Sequence, residues 1–495
     1  MANATGIIPR LGALLGFGLG PTRRDAARSD ISEFEGWTPT PGFSGANVED
    51  QIERIIGRAR NLDDNNAWIN GGIDRRVESV IGVNIRLNAQ PVYAMLGRDN
   101  DWRRTWAADV QARFRVWGND IERRCDARQR LTFGAIAKLA YLTYIRDGEV
   151  AAEIRDDRRG TRNPTNVMLI EPERISTPDD RKHSEGPRLR NGVAFAANGA
   201  VEGYWVRSGH REDPNPAMRQ QRWDFVPARG RTGRAKFLHV INPRRVDQAR
   251  GFSRLAESMI PAKMIDRMDR AELAAALKHT MASLFIESAG TTEDLQGIFS
   301  APGSTDAALD PSILRWMEYR ADEPVQMDYA QVAHLLPGEK VVAPEATHPN
   351  ANYPDFIRFI LQKVAGSIGV SYPQLSQDWA GINYSSARAL LNEMWRSFIE
   401  DRIYFTQQFL TPIYAAWLER EVANGDVKVP GGPSAFYRNK TAICMAEWIG
   451  PGRGSVDPLK EANAANLDTA AGRKSTPQLI LEDGRDPEDV LAEEL

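Results

Sequence analysis

The sequence predicts a helix-rich, mixed α+β fold, and three observations carry that expectation. Apolar residues recur every three or four positions over several long stretches, the period that lays one face of a helix against a core. Two Asx-Gly dipeptides, Asp147-Gly148 and Asn198-Gly199, stand between short runs of β-forming residues, as tight hairpin turns require. No segment repeats at the fixed period of a solenoid or propeller. At 495 residues the chain is long enough for several folding units or one elongated one. Its longest apolar runs fall well short of the ~20 residues of a membrane span.

Residues 1–50 are rich in Gly, Pro, Thr and Ser without sustained periodicity and read as an extended arm. Leu11–Gly20 resembles the apolar core of a signal peptide. It is glycine-rich, however, and Pro21-Thr22-Arg23-Arg24 follows in place of a small-residue cleavage pattern, so it is read as part of the arm. A helical pattern runs from Val48 to Asn70, with Ile52, Ile55 and Ile56 on one face. A second helix is expected over 101–117, where Trp102, Trp106, Val110, Phe114 and Trp117 are interleaved with Arg103, Arg104, Arg113 and Arg115. Such mixtures can stack bases and hold phosphates of single strands. Here the aromatics share one face, the pattern of a buried stripe with a solvated arginine face.

Two hairpins are expected next: Tyr144–Arg146 with Val150–Ala152 around Asp147-Gly148, and Val193–Ala196 with Val201–Val206 around Asn198-Gly199. Pro- and Arg-rich loops fill 178–190 and 207–234. Ser253 is the expected N-cap of a helix reaching from Pro261 to about Ser283, with Met264, Met268, Leu273, Leu277 and Met281 as its apolar positions and charges of alternating sign. Thirty residues of helix make a rod of ~45 Å. After the turn-rich residues 285–350, Pro354 opens a helix whose stripe is Phe356, Phe359, Ile360, Val364 and Ile368. A glycine-marked break, Gly366 to Asn383, precedes the longest helix, Ser385 to Val422, with Leu391, Met394, Trp395, Phe398, Phe405, Phe409, Ile413 and Trp417 at helical spacing. Pro412 should bend it, because Gln408 loses its backbone partner. Residues 424–495 are broken by Pro430-Gly431-Gly432-Pro433 and Gly450-Pro451-Gly452 and end acidic.

Charge and motifs narrow the function. Lys and Arg number 63 against 66 Asp and Glu, a net charge of -3, so the broad basic excess of a tight DNA binder is missing. Any DNA contact is then loose, local, or suited to a sliding polymer. The two cysteines, Cys125 and Cys444, suit a reducing compartment and exclude a disulfide framework or a cysteine-rich zinc site. Gly450-Pro-Gly-Arg-Gly454-Ser455 lacks the lysine and the preceding strand of a phosphate loop and reads as a turn. Gly42-Phe-Ser-Gly45 is one residue short of a nucleophile elbow. Among His183, His210, His239, His279, His334 and His348, no two lie three or four apart, so no helix presents a metal-ligand pair. Asp156-Asp157 and Asp179-Asp180 could serve a metal nuclease. A two-metal site needs ligands converging from separate elements, and adjacent carboxylates in Arg-rich loops read as solvated charge. The chain is therefore read as a non-enzyme with no catalytic residue, cofactor or metal. A metal-dependent DNA-modifying enzyme remains as an alternative.

Several segments together resemble the portal proteins of lambda-like tailed bacteriophages. They are Arg58-Ala-Arg-Asn-Leu-Asp-Asp-Asn-Asn66 with Val80-Ile-Gly82, then Leu169-Ile-Glu-Pro-Glu-Arg-Ile-Ser176, then His239-Val-Ile-Asn-Pro-Arg-Arg245 leading into Gln248-Ala-Arg-Gly251. The most specific stretch is Ile368-Gly-Val-Ser-Tyr-Pro-Gln-Leu-Ser376 through Asn383-Tyr-Ser-Ser-Ala-Arg388 to Asn392-Glu393. Trp448-Ile-Gly-Pro-Gly-Arg-Gly454 with Asp457-Pro-Leu-Lys-Glu461 closes the series, which runs in consistent order over about residues 50–470.

The resemblance implies a ring of twelve subunits at one capsid vertex, found in the virion and in host cytoplasm during assembly. It further implies an N-terminal arm at 1–50, an α+β wing at 51–252, stem helices at 253–284 and 351–370 with a clip at 285–350 between them, a tunnel loop at 371–384, a long bent wing helix at 385–423 and a crown at 424–495. In the tunnel loop it singles out Gln374, Gln377, Asp378, Trp379, Asn383 and Tyr384 as channel-facing. The implied partners are other copies of the chain, the major capsid protein or scaffold, the terminase large subunit, head-completion proteins and double-stranded DNA, with no membrane; another capsid or tail structural protein remains as a second alternative.

Overall fold

The computed structural model describes residues 49–157, 162–179, 188–210, 222–280, 285–288, 339–342, 353–454 and 457–493. The first 48 residues and most of 285–350 thus lie outside the described residues. The fold is mixed α+β and helix-rich, as expected.

The first expected helix is two, α1 (Glu49–Asn65) and α2 (Ala67–Val80). Asn66 divides them: it is extended, and its side chain accepts the Ile69 N–H at 3.0 Å as the N-cap of α2. After β1 (Arg86–Ala89) comes α3 (Asn100–Gly118), capped by Asp99. Its aromatic stripe faces the core, with Trp106, Val110 and Phe114 buried. The Phe114 ring meets Phe133, Tyr414, Trp417 and Trp448 edge-on, with centroids 5.0–5.9 Å apart. These rings are core, not a base-stacking platform.

The first expected hairpin does not exist. Residues 144–147 complete a helix, α4 (Phe133–Asp147), and Gly148 ends it at φ +93° with its N–H on the Tyr144 carbonyl. Only then does β2 (Glu149–Asp156) begin. The physical reason is that a left-handed glycine serves a helix C-terminus as readily as a type I′ turn. The apolar spacing of Phe133, Ile136, Ala140, Tyr141 and Tyr144, all buried, decides for the helix. β2 is the centre of an antiparallel sheet between β3 (Thr165–Ile170) and β8 (Phe237–Ile241). The second hairpin is present as expected. β5 (Val193–Phe195) and β6 (Val201–Arg207) turn through Gly199 at φ +82° within a sheet ordered β4 (Leu189–Arg190), β5, β6, β7 (Trp223–Pro227).

Helix α5 spans Met259–Thr280. Ser253 is not its N-cap: its hydroxyl accepts the Leu255 N–H and donates to the Arg146 carbonyl, fixing a turn one step earlier. The stripe is also rotated from expectation, with Ala262 and Ile265 buried and Met264 and Leu273 exposed. Leu277 and Met281 lie outside the side chains described. Strands β9 (Phe285–Ser288) and β10 (Glu339–Val342) pair antiparallel. They are followed by α6 (Tyr353–Ile368), which packs on α5 and α2 and buries Ile360, Val364 and Ile368 while Phe356 and Phe359 stay exposed.

After α7 (Tyr372–Ser376), the long helix is α8 (Tyr384–Phe405), a π-helical turn over Thr406–Leu410, and α9 (Thr411–Asn424). The lost donor at Pro412 is absorbed by that wider turn rather than by a simple break. Residues 424–495 do not form one unit. α10 (Gly432–Arg438), α11 (Lys440–Ile443) and β11 (Ala446–Ile449) return to the main core, where Phe436, Ile443 and Trp448 are buried and β11 pairs with β1. Their apolar residues need that core. Beyond it, α12 (Pro458–Ala470) and α13 (Thr476–Glu482) bury nothing, and α14 (Pro487–Glu493) returns to the surface of α3.

Candidate functional site

The segment joining α6 to α8 has two unlike halves. The first is anchored. Gly369 ends α6 at φ +80°, and its carbonyl accepts from Arg76 of α2. A Cβ there would stand 2.2 Å from the guanidinium, so both the backbone conformation and the close approach require glycine. Ser371 and Gln374 form a capping box, the Ser371 N–H reaching Gln374 Oε1 at 3.0 Å. Pro373 and Leu375 are buried, and Leu375 and Ile368 press against Gly72 of α2.

The second half is exposed. Gln377 takes a left-handed conformation at φ +57° and turns the chain outward. Asp378 accepts the Ala380 N–H at 3.0 Å, its carboxylate lies 3.6 Å from Arg358 of α6, and Trp379 is 47% exposed. Asn383 accepts the Ser386 N–H at 2.8 Å as the N-cap of α8. Of the six residues singled out in the sequence, Gln377, Asp378 and Trp379 thus share one exposed turn. Gln374 and Asn383 hold helix ends, and the Tyr384 side chain lies outside those described. Arg358, which ties the turn to α6 and also lies over the Tyr372 ring at 5.9 Å, carries no sequence signal beyond its place on an exposed helix face.

Three buried polar junctions hold the helices that carry this segment. At the first, Asp401 of α8 accepts from Arg76 of α2, from Tyr141 of α4 at 2.8 Å, and from Arg254 before α5 at 2.8 Å. Burial alone would raise the Asp401 carboxyl, but Arg76 and Arg254 outweigh it and hold it below the usual range. At the second, Glu149 accepts from Arg250, from His239 Nε2 at 3.0 Å and from the Gly251 N–H at 2.8 Å. Its full burial opposes ionisation, yet Arg250 and His239 bring it down to about 2. Arg250 donates further to the carbonyls of Pro172, Ile175 and Asn191, pinning both sheets to the chain that enters α5. At the third, Arg60 of α1 bridges Asp147 and Glu173 at 2.8 and 2.6 Å. Sequence reasoning found the segments holding these residues but not their pairings, because the partners lie 87 to 325 positions apart.

The residues considered for metal chemistry are otherwise engaged. Asp156 pairs with Arg234 at 3.0 Å and with Arg420, and Asp180 lies outside the described residues. Among the described residues, Glu171, Glu173 and His210 come within metal-ligand spacing of one another, but Arg60 already takes both oxygens of Glu173. Burial pushes both cysteine thiols up to about 12, which suits packing rather than reactivity.

A profile of the family described as phage portal protein, lambda family, matches residues 31–402. That span takes in the whole 369–384 segment and every member of the Asp401 junction. The chain is 27% identical to the portal protein of Escherichia phage N15 over 469 residues, covering 94% of this chain and 87% of that protein. It is also 27% identical to portal protein B of Escherichia phage lambda over 467 residues, covering 94% of this chain and 86% of that one. A chain from the neck of the native GTA particle, computed with C12 symmetry, aligns at a TM-score of 0.41 and 14% identity over 87% of this chain and 94% of that one. That likeness is too loose to place residues.

Proposed function

The chain belongs to the lambda family of phage portal proteins, and from that premise we propose that it forms a twelve-membered ring at one capsid vertex, the channel through which double-stranded DNA is packaged and ejected. The family match over residues 31–402 carries this reading. In the proposed ring, 51–252 is the wing, α5 within 253–284 and α6 within 351–370 are the stem, and 285–350 is the clip. Residues 371–384 are the tunnel loop, 385–423 the long wing helix, and 424–495 the crown, of which the elements up to β11 pack on the main core. The side-by-side packing of α5 and α6 supports the stem assignment, as does the β9–β10 pairing that ties the two ends of the insert. Met264, Leu273, Phe356 and Phe359 are apolar and uncovered within one chain, which suits burial against neighbouring copies.

The mechanism is geometric. Gln377, Asp378 and Trp379 project from an anchored base and offer the passing duplex polar, replaceable contacts and one bulky one. Gln374, Asn383 and Tyr384 belong to that base and its exit. A net charge of -3 lets DNA slide, since a strongly basic wall would grip phosphates through counterion release. The work of translocation comes from a separate packaging ATPase, the terminase large subunit, docked at the clip. Capsid or scaffold protein surrounds the ring, head-completion proteins seat on it afterwards, and the ring passes from host cytoplasm into the virion.

Trp379→Ala tests the loop assignment. Because Trp379 is half exposed, stability should change by less than about 0.5 kcal/mol and rings should form normally. Capsids built on the variant should lose packaged DNA, measured as the nuclease-resistant fraction. Retention equal to wild type would remove Trp379 from the channel.

A further inference from the structure

We propose that the face of α3 bearing Arg104 and Arg115, with Arg86 of β1 beside it, is a binding surface for duplex DNA phosphates, held closed by the acidic C-terminal helix α14. The proposal rests on the portal reading only for the identity of the polyanion at hand. Arg104 and Arg115 stand at i and i+11, so they share one helix face beside the buried aromatic stripe; both are about half exposed, whereas Gln111 between them is buried and accepts the Ala89 N–H at 3.0 Å. Each meets an acid of the C-terminal segment. Glu488 lies 3.3 Å from Arg104, Asp489 lies 3.1 Å from Arg115 and 3.5 Å from Arg86, and Asp486 accepts from Gln111 at 3.3 Å.

The root of this cover is fixed, with Asp486 buried and Gly484 packed close against Gly450 and Gly452, but the helix beyond it is weakly held. The helices leading to it, α12 and α13, bury no residue. A helix as short as α14 is marginal without tertiary support. The three ion pairs are about half exposed, so they stabilise little and are screened by salt. What the acids occupy is the ligand that phosphate would use: guanidinium forks take carboxylate and phosphate by the same charge-assisted hydrogen bonds. Arg104 and Arg115 are separated by about 16 Å of helix, enough to reach phosphates on both sides of a ~12 Å major groove. Covered, the surface leaves the ring without a strong hold on DNA. Uncovered, it adds three cations on one side.

The test compares the full chain with a chain ending at Asp486, using a short labelled duplex whose anisotropy is followed across a salt series. The deletion should bind about tenfold more tightly at low salt, with a log–log salt slope steeper by up to about 3, close to 0.9 per phosphate contacted. Adding Arg104→Glu and Arg115→Glu to the shortened chain should abolish both gains. Glu488→Gln with Asp489→Asn in the full chain should give a smaller increase of the same kind and carries the test if the deletion does not fold. Unchanged affinity and slope in both variants would overturn the proposal, as would a gain that survives Arg104→Glu and Arg115→Glu. Ring mass is read separately by light scattering, so a chain that binds DNA as expected but forms no ring counts against the portal reading alone.

Discussion

Asp401→Ala is expected to destabilise the protein by about 3–5 kcal/mol, the usual cost of removing one partner from a buried charge pair. The reason is what it leaves behind. Arg76 is fully buried, so its guanidinium keeps the Gly369 carbonyl and the Phe398 ring but loses its carboxylate, while Tyr141 and Arg254 lose the same acceptor. Four pieces of chain part at once: α2, α4, the entry to α5, and α8. The anchored half of the 369–384 segment should loosen with them, because Arg76 also holds Gly369. A fall in the denaturant midpoint at fixed protein concentration, with poorer ring assembly, is the expected reading. The junction also sets an acid limit. The folded carboxyl lies below its unfolded value, so its contribution is complete above the unfolded pKa of about 3.9 and is lost as pH falls through the lower folded value. Asp401→Asn should flatten that part of the stability-against-pH curve. A variant as acid-sensitive as wild type would show that the carboxylate contributes nothing there.

Gly148→Ala should cost more than about 3 kcal/mol, for two additive reasons. At φ +93° a side chain is strained by roughly 1–2 kcal/mol. The added methyl would also stand 2.1 Å from the Phe252 carbonyl carbon and 2.3 Å from the Ser253 nitrogen, both main-chain atoms that cannot swing aside. Gly251 approaches the same corner from the segment that leads to α5, where an added Cβ would stand 2.1 Å from the Gly148 oxygen. The corner between α4 and β2 would have to separate from the turn that launches α5, taking the Glu149 junction with it. Gly199→Ala is the control. Its φ of +82° is similar but nothing lies within 4 Å of a Cβ, so about 1 kcal/mol is expected. Equal midpoint shifts for the two variants would show that strain alone, not the close approach, sets the cost.

Gly148 also marks where the sequence could be read and where it could not. Apolar periodicity reads correctly in two helices: the α3 aromatics are core, and α8 and α9 carry their apolar stripe to Trp417 across the turn at Pro412. Dipeptide cues were weaker, since Asp-Gly at 147–148 ends a helix while Asn-Gly at 198–199 turns a hairpin. Only the preceding apolar spacing separates the two cases. The α5 stripe was misjudged because Met264 and Leu273 look like core residues, whereas the face that packs within the chain uses Ala262 and Ile265. In the candidate site, family resemblance points to the 371–384 segment as a whole and does not separate the exposed turn at 377–379 from its anchored base. The capping work of Gln374 and Asn383, and the arginine–carboxylate pairs beneath, were not legible in the sequence. Arg76 and Asp401 sit 325 positions apart and nothing local in either stretch announces the other. Several motif residues that carry the resemblance, among them Arg60, Glu173, His239, Arg250 and Gly369, belong to those junctions or to the close approach beside them. Their spacing in the chain reflects how the helices are tied together.

The measurement that tests the central claim most directly is the native mass and rotational symmetry of the purified full-length protein, by light scattering and class-averaged electron microscopy. The account expects a hollow ring of twelve 55.2-kDa chains, about 660 kDa, with a central channel. A compact monomer or dimer that persists at high protein concentration would contradict it.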